Sequence, residues 1–182
     1  MATVKIYRFT GATGSPTETD VTSINSRLNA VDSHSTGGTT NPVKIPDSGT
    51  NYSYWGSFRM KVTENTDSNT IDNMKFYTDG VNDFGTGISG VVASASGYVQ
   101  ATGTQGTTGD ELTTGSYPEL NEAPSDAFGY TSGSALDLTT SGTGTSSTGF
   151  IGDYVAYQIQ VGDTASVGAS SQEISNFQYD VS

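Results

Sequence analysis

Residues 52–63 alternate between large apolar side chains and small or charged ones over the whole length of the segment. The apolar positions are Tyr52, Tyr54, Phe58, Met60 and Val62, and the positions between them include Ser53, Ser57, Arg59, Lys61 and Thr63. Because successive side chains of a strand point to opposite faces of a sheet, this alternation predicts a β-strand with one buried face. Trp55 falls among the polar positions, so it either packs against a second layer or faces a partner.

The composition extends this prediction to the whole chain. Gly, Ser and Thr number 23, 24 and 28 of 182 residues, and Val plus Ile outnumber Leu by 21 to 5. β-Branched residues favour strands, whereas good helix formers are scarce and Gly and Thr would make helices costly. We therefore predict an all-β fold, an antiparallel β-sandwich of jelly-roll-like or Ig-like topology, in one domain spanning residues 1–182.

Alternation and turn residues predict the other strands. We expect strands at 4–10, at 71–78 returning antiparallel to strand 52–63, at 90–102, at 154–161 and at 174–181. We also expect a strand or short helical turn at 21–31 and an edge segment at 43–45. The predicted core consists of Tyr54, Phe58, Met60, Val62, Phe76, Ile159, Phe177 and Tyr179. No fixed-period repeat is visible, which argues against a propeller or a solenoid.

Residues 102–149 are the least regular part of the sequence. Of these 48 residues, 28 are Gly, Ser or Thr. A structureless loop of that length is uncommon in a compact domain, so we predict an elaborated excursion from the sandwich, built on short strands and tight turns. Within it, 116–120 and 135–139 are the pieces most suited to ordered structure. We refer to residues 102–149 as the excursion.

The charges divide the chain into two unlike parts. Seven Lys and Arg face 19 Asp and Glu, a net charge of −12; all seven bases lie in the first 75 residues, and from Asp79 onward there are twelve acids and no base. An acidic surface repels nucleic-acid phosphates and anionic lipids, so we expect neither nucleic acid nor membrane as a partner. We also expect synthesis in a cytoplasm, since the first residues read directly into a strand without a basic, apolar leader.

The residues suited to chemistry do not form a recognisable catalytic pattern. Cysteine is absent, which excludes disulfides, zinc–thiolate sites and thiol catalysis. The one histidine, His34, lies in a polar loop without a nucleophile elbow, and the acids at 110–111 and 119–122 lie in Gly- and Thr-rich turns. The acidic stretches 67–72 and 79–83 have oxygen ligands that calcium prefers, yet neither fits a calcium loop and turn formation explains both. We predict no catalytic, cofactor-binding or metal-binding residue, and no enzyme.

Three stretches carry a resemblance to known proteins. They are NPVKIPDSGTNYSYW at 41–55, NTIDNMKFYTDG at 69–80, and the terminal segment 174–182 with FQYD. Together they resemble uncharacterised β-rich structural proteins found among the virion genes of tailed phages and related viruses. The resemblance implies a virion structural protein, a capsid decoration or accessory component, whose partners are the major capsid protein or other virion proteins and whose location is the virion.

A carbohydrate-binding, lectin-like module is the alternative from another functional class. Trp55, with Tyr52, Tyr54, Phe76 and Tyr77, would supply an aromatic platform for a sugar ring. This alternative requires Trp55 to face solvent.

The predicted late strands raise the question of assembly. The segments 154–161 and 174–181 contain no Lys or Arg that could protect a free edge from pairing. Each must therefore be central in a sheet, covered by the excursion, or paired across a subunit boundary. We expect a homo-oligomer or a particle-bound array, with Arg59 and Lys61 near a neighbour's acidic surface.

Overall fold

The computed structural model describes residues 1–139, 145–168 and 170–182. Its strands are β1 (Ala2–Thr10), β2 (Thr17–Asp20), β3 (Thr50–Tyr52), β4 (Gly56–Asn65), β5 (Ile71–Thr78), β6 (Ile88–Ala95), β7 (Gly103–Thr104), β8 (Thr108–Gly109), β9 (Ser125–Asp126), β10 (Leu136–Asp137), β11 (Gly149–Gly162) and β12 (Ser175–Val181). Within the described ranges the helical structure is one 3₁₀ turn, Ala127–Gly129, and no helix there is long and apolar enough to cross a membrane.

The strands form two antiparallel sheets. The large sheet runs β2-β1-β4-β11-β3-β8-β7, with β6 pairing to β11 and β9 pairing to β6. It curls strongly. The small sheet runs β10-β5-β12. The prediction of an all-β, antiparallel, sandwich-like fold is therefore confirmed.

The two sheets enclose an inner core. The large sheet contributes Met60, Val62, Val92, Ile151, Val155 and Tyr157, and the small sheet contributes Ile71, Met74, Phe76 and Leu136. Ring pairs join the layers, with the Phe76 centroid 6.3 Å from that of Tyr157. Four of the eight predicted core residues are fully buried, namely Tyr54, Met60, Val62 and Phe76. The other four, Phe58, Ile159, Phe177 and Tyr179, are half-buried and pack against the inner core.

The predicted strand 52–63 forms, but it is interrupted. β3 and β4 lie along the same side of β11 and are separated by residues 53–55, where the Ser53 amide donates to the Ile159 carbonyl at 2.8 Å. The Ser53 hydroxyl accepts from the Ile159 amide at 3.0 Å, so both strands remain joined at the break.

The predicted partner of β5 was wrong. β5 has the expected bounds but pairs with β10 and β12, not with β4. The two edges of β4 are already occupied, by β1 on one side and β11 on the other. The turn after β4 is closed by Asn65, whose side chain bonds both the amide and the carbonyl of Asn69. The chain therefore crosses from the large sheet to the small one at this turn.

Three other predicted boundaries also differ. No strand or helical turn forms at 21–31, and 43–45 is irregular; these loops bond instead to one another and to the sheet, as in the Tyr54 amide donating to the Asn29 carbonyl at 2.8 Å. The strand predicted at 90–102 is β6, which ends at Ala95 because the Ser96 amide turns to the Glu119 carbonyl at 2.9 Å.

The excursion covers both faces of the large sheet. Its first part lies on the outer face and forms an outer core there with Leu112 and Tyr117 against Trp55, Tyr154 and Phe9. Its second part supplies Ala127, Leu136 and Leu138 to the inner core. Within 102–149 the described residues form the short strands β7, β8, β9 and β10 and one 3₁₀ turn, and the part of the prediction that concerns 140–144 lies outside the described residues.

Candidate interaction surface

Strand register brings basic and aromatic side chains together on the outer face of the large sheet. Lys5 and Tyr7 of β1 are paired with Lys61 and Arg59 of β4, and Phe150 of β11 is paired with Lys61 from the other side. Directly paired residues point to the same face of a sheet. We call these five residues, Lys5, Tyr7, Arg59, Lys61 and Phe150, the basic–aromatic strip.

Aromatic rings hold the cations of the strip in place. The Lys61 Nζ lies 4.3 Å from the ring centroid of Phe150 and 4.9 Å from that of Tyr7. The Tyr7 and Phe150 rings meet edge to face with centroids 5.7 Å apart. Cation–π contacts of this kind contribute about 0.5–1 kcal/mol at exposed sites. The ammonium group is therefore positioned rather than freely mobile.

Arg59 is held by β11 at the place where its pairing with β4 shifts register. Its Nε donates to the Gly152 carbonyl at 2.8 Å, and its guanidinium lies 4.8 Å from the ring centroid of Tyr154. The shift in register falls between Ile151 and Val155. Because Tyr154 is itself nearly buried in the outer core, Arg59 marks the boundary between the covered and uncovered parts of this face.

Two carboxylates from β2 border the strip. Lys5 pairs with Asp20 at 2.7 Å, and Lys61 with Glu18 at 3.3 Å. The hydrogen bond from Lys5, helped by those from Thr22, lowers the pKa of Asp20 to about 2, and the same bond raises the pKa of Lys5. Exposed pairs contribute little to stability, so their main effect is to fix where the charges lie.

The strip is an open surface with ordered positive charge. It collects three of the seven basic residues of a chain with net charge −12. Ordered cations beside half-buried rings suit contact with an acidic protein surface, because aromatic and Arg side chains are enriched in protein interfaces.

The structure places His34 beside Ser26 and near Arg8. Its Nδ1 lies 3.5 Å from the Ser26 hydroxyl, which also accepts from Arg8 at 3.0 Å. Asp32 is engaged elsewhere, since its carboxylate accepts from the Gly11 amide and from Gln100 at 3.0 Å. A triad needs a carboxylate that orients the histidine and stabilises its charged form. Here burial lowers the pKa of His34, and the nearby Arg8 cation lowers it further.

The acids of the excursion fasten its backbone. Asp110 accepts from Thr102 at 2.6 Å, Glu119 accepts from Ser96 at 3.1 Å, and the Glu122 side chain accepts from the hydroxyl of Ser94 at 3.0 Å. Each of these contacts joins two parts of the chain. They therefore fasten the excursion to itself, to β6 and to the residue that follows β6.

The acidic turn 79–83 has the geometry expected of turn-forming residues. Asp79 accepts from the Val81 amide at 2.9 Å, and Asn82 accepts from the Phe84 amide at 3.1 Å. In the described ranges, no three His, Cys, Asp or Glu side chains come together in a way that could hold a metal ion. Turn formation, which the sequence predicts for these residues, therefore accounts for their arrangement.

Trp55 lies inside the molecule. It is 2% exposed, its Nε1 donates to the Val99 carbonyl at 3.1 Å, and its ring lies 5.7 Å from that of Tyr117 in the excursion. Of the two alternatives for Trp55, packing against a second layer is confirmed. Phe76 belongs to β5 of the small sheet and lies in the inner core, whereas Trp55 lies in the outer core on the other face of the large sheet. The five proposed platform rings therefore do not form one surface.

Arg59 and Lys61 could be predicted from sequence to share a face, but the rest of the strip could not. The alternation in 52–63 places both on the polar side of β4. Phe150 comes next to Lys61 only through pairing between strands that are far apart in the chain. An alternation of Lys5, Tyr7 and Phe9 in β1 is the signal that could have pointed to the aromatic part of the strip.

Comparison with known proteins identifies no relative of this chain. A scan against protein-family models, a search of curated proteins and a search of solved structures each find no match.

Proposed function

We propose that this chain is a virion structural protein, a capsid decoration or accessory component that binds the particle surface through the basic–aromatic strip. Its partners in this proposal are the major capsid protein or other virion proteins, and copies of the chain itself. Its location is the virion, after assembly in the host cytoplasm.

The basic–aromatic strip is the observation that carries the proposal. A chain with net charge −12 presents three ordered cations on one sheet face: Arg59 and Lys61 lie against aromatic rings, and Lys5 and Lys61 are paired with Asp20 and Glu18 at the border of the strip. Docking of such a face on an acidic surface gives electrostatic complementarity, which directs encounter and orientation more than it adds affinity. A protein that binds the surface of another protein needs no enclosed binding pocket.

The fold class and the segments named above also support this proposal. Segments 41–55, 69–80 and 174–182 resemble virion structural proteins, and the all-β sandwich-like fold is the one that this resemblance implies. The excursion is rich in Gly and Thr, yet it packs against both faces of the large sheet. Because it is packed in this way, its sequence is compatible with a protein that is exposed to the environment.

The lectin-like alternative has less support. It relied on a Trp55 that faces solvent, and Trp55 is 2% exposed. A sugar ring therefore has no access to that indole without displacement of the excursion.

Binding to particles tests the proposal. Virus particles from the source of the sequence are purified and analysed by mass spectrometry, in which the chain is expected among the structural components. Recombinant protein is then mixed with particles stripped of it, and the bound fraction is measured by co-sedimentation. We expect Lys61→Gln to bind at least about tenfold more weakly, the effect of losing one charge contact of about 1.4 kcal/mol.

Lys44→Gln is the matched control. Lys44 is exposed and remote from the strip in the strand register, and the substitution removes the same charge. It is expected to bind as the wild type does. Absence of the chain from purified particles, or equal loss of binding in both variants, would contradict the proposal.

A further inference from the structure

β12 is the longest strand with a free edge in the small sheet. It pairs with β5 on one side and ends the order β10-β5-β12 on the other. Seven residues, Ser175–Val181, thus present one row of backbone amide and carbonyl groups without a neighbouring strand among the described residues. Such an edge is a template for pairing with another chain.

Most of the usual protections of a free edge are absent from β12, whose one charged residue is Asp180. The strand contains no Lys, Arg or Pro. The shift of register in its pairing with β5 falls opposite Asn73, which has φ +52°, so the extra residue belongs to β5 and β12 stays regular. Of the three possibilities for late strands without bases, β11 is central and covered, whereas β12 is neither among the described residues.

Exposed apolar side chains occur at both ends of β12 and in the segment before it. Val181 is 49% exposed and Ile174 63%, and Val167 in the segment that leads to β12 is also exposed. These are three of the six large apolar residues exposed in the described chain. Apolar side chains at an open edge are a feature of surfaces that are covered in an assembly.

We propose that β12 pairs with β12 of a second copy of this chain, antiparallel, about a twofold axis that passes through Gln178. The pairing joins two three-stranded small sheets into one six-stranded sheet. This inference does not depend on the proposed function, because it concerns contact between copies and uses a surface different from the basic–aromatic strip.

Symmetry determines the register. Antiparallel pairing of two identical strands requires a twofold axis perpendicular to the sheet, which leaves the inner faces of both copies on the same side. Gln178 is the middle residue of β12, so an axis there pairs all seven residues, with Phe177 facing Tyr179 and Ser175 facing Val181. The inner apolar faces of the two copies then become continuous.

The charges fit this register and no carboxylate faces another. Asp180 of one copy faces Asn176 of the other, and it is already held by the Asn73 amide at 2.7 Å. The contact between two copies is also closed, because an isologous contact uses the β12 edge of both copies at once. Each copy carries a net charge of −12, so the contact is expected to strengthen with salt.

A cysteine at the axis gives a direct test, since the chain has none of its own. Directly opposed residues of antiparallel strands have Cα atoms about 4.5–5.5 Å apart, within the range that a disulfide spans. Gln178→Cys is therefore expected to form a covalent dimer under mild oxidation. Gln172→Cys, exposed and outside β12, is the control and is expected to remain uncrosslinked at the same protein concentration.

Sedimentation of uncrosslinked protein gives a second, independent measurement. The wild type is expected to dimerise with a Kd that falls between about 0.1 M and about 1 M NaCl, where the Debye length drops from about 10 to about 3 Å. Gln178→Lys places like charges opposite each other and should abolish the dimer, while Gln172→Lys, with the same charge change, should keep it. Three results would each overturn the proposal. They are a wild type that is monomeric at every protein and salt concentration, a Gln178→Lys variant that dimerises as well as the wild type, and a wild-type dimer that weakens as salt is added.

Discussion

Arg8 is a charged residue held in the interior by uncharged groups. It is 1% exposed, and its guanidinium donates to the Ser26 hydroxyl at 3.0 Å and to the Arg27 carbonyl at 2.6 Å. Burial lowers the pKa of Arg8 to about 10, against the influence of Asp32, so it stays charged at neutral pH. One buried cation therefore orders the start of the loop between β2 and β3.

His34 makes this loop sensitive to pH. Burial, and then the charge of Arg8, lower its pKa below the ordinary value near 6.5, so folding favours the neutral ring. The contribution of this preference to the free energy of unfolding is fully present above the ordinary pKa. It is lost as the pH falls through the lower pKa of the folded state. We expect a urea midpoint that drops between about pH 7.5 and about pH 5, and a smaller drop in His34→Gln.

Carboxylates titrate in both the wild type and His34→Gln, so the difference between the two changes in urea midpoint reports on His34. An equal drop in wild type and His34→Gln would show that the environment of His34 does not disfavour its charged form.

The excursion is an element whose position depends on one side chain of β11. Gln158 is fully buried; its Oε1 accepts from the Leu112 amide at 2.8 Å, and its Nε2 donates to the carbonyls of Ser53 and Asp110 at 2.8 and 2.7 Å. It thus joins the break between β3 and β4 to the first part of the excursion. Gly109 allows the close approach, because a Cβ there would lie 2.4 Å from the Ser53 carbonyl oxygen.

Gln158→Leu is expected to destabilise the protein by about 2 kcal/mol or more, since it leaves two buried backbone groups, the Leu112 amide and the Ser53 carbonyl, without a partner at about 1–3 kcal/mol each. Gln160→Leu, two residues along the same strand and half-buried, should change the free energy of unfolding by about 0.5 kcal/mol or less. Urea denaturation measures both, and limited proteolysis should cut the excursion faster only in Gln158→Leu. Similar costs for the two substitutions would mean that Gln158 does not fasten the excursion.

Strand positions could be predicted more fully than strand partners. β5 and β12 have bounds within one residue of those predicted, because alternation over seven or eight residues is a local signal. The pairing of β5 with β12 joins residues about a hundred positions apart, and β4 was the wrong partner because both of its edges are taken. Loops 21–31 and 43–45 were also mispredicted, since their backbone groups bond to one another across the sheet end.

At the scale of the whole molecule, negative charge opposes the compact state. The net charge is −12, and the twelve acids from Asp79 onward have no basic residue among them in sequence. Self-repulsion of this kind destabilises a folded protein and is screened by salt. We expect the melting temperature to rise between about 0.1 M and about 1 M NaCl, measured at a protein concentration low enough to keep the chain monomeric.

Replacement of NaCl by an equal ionic strength of KCl is the control, and it should give the same rise. A melting temperature that falls with added salt would mean that attractive pairs such as Lys5–Asp20 outweigh the repulsion.

The sequence alone determined the fold class, the main strands and the polar side of β4 on which Arg59 and Lys61 lie. These properties follow from period-two alternation and from the scarcity of helix formers, and both act over a few neighbouring residues. The tertiary structure decided that Trp55 is interior, that the excursion covers both faces of the large sheet, and that Phe150 lies against Lys61. Each of these depends on contacts between distant parts of the chain, where a register shift of one residue would turn the same side chain to the opposite face.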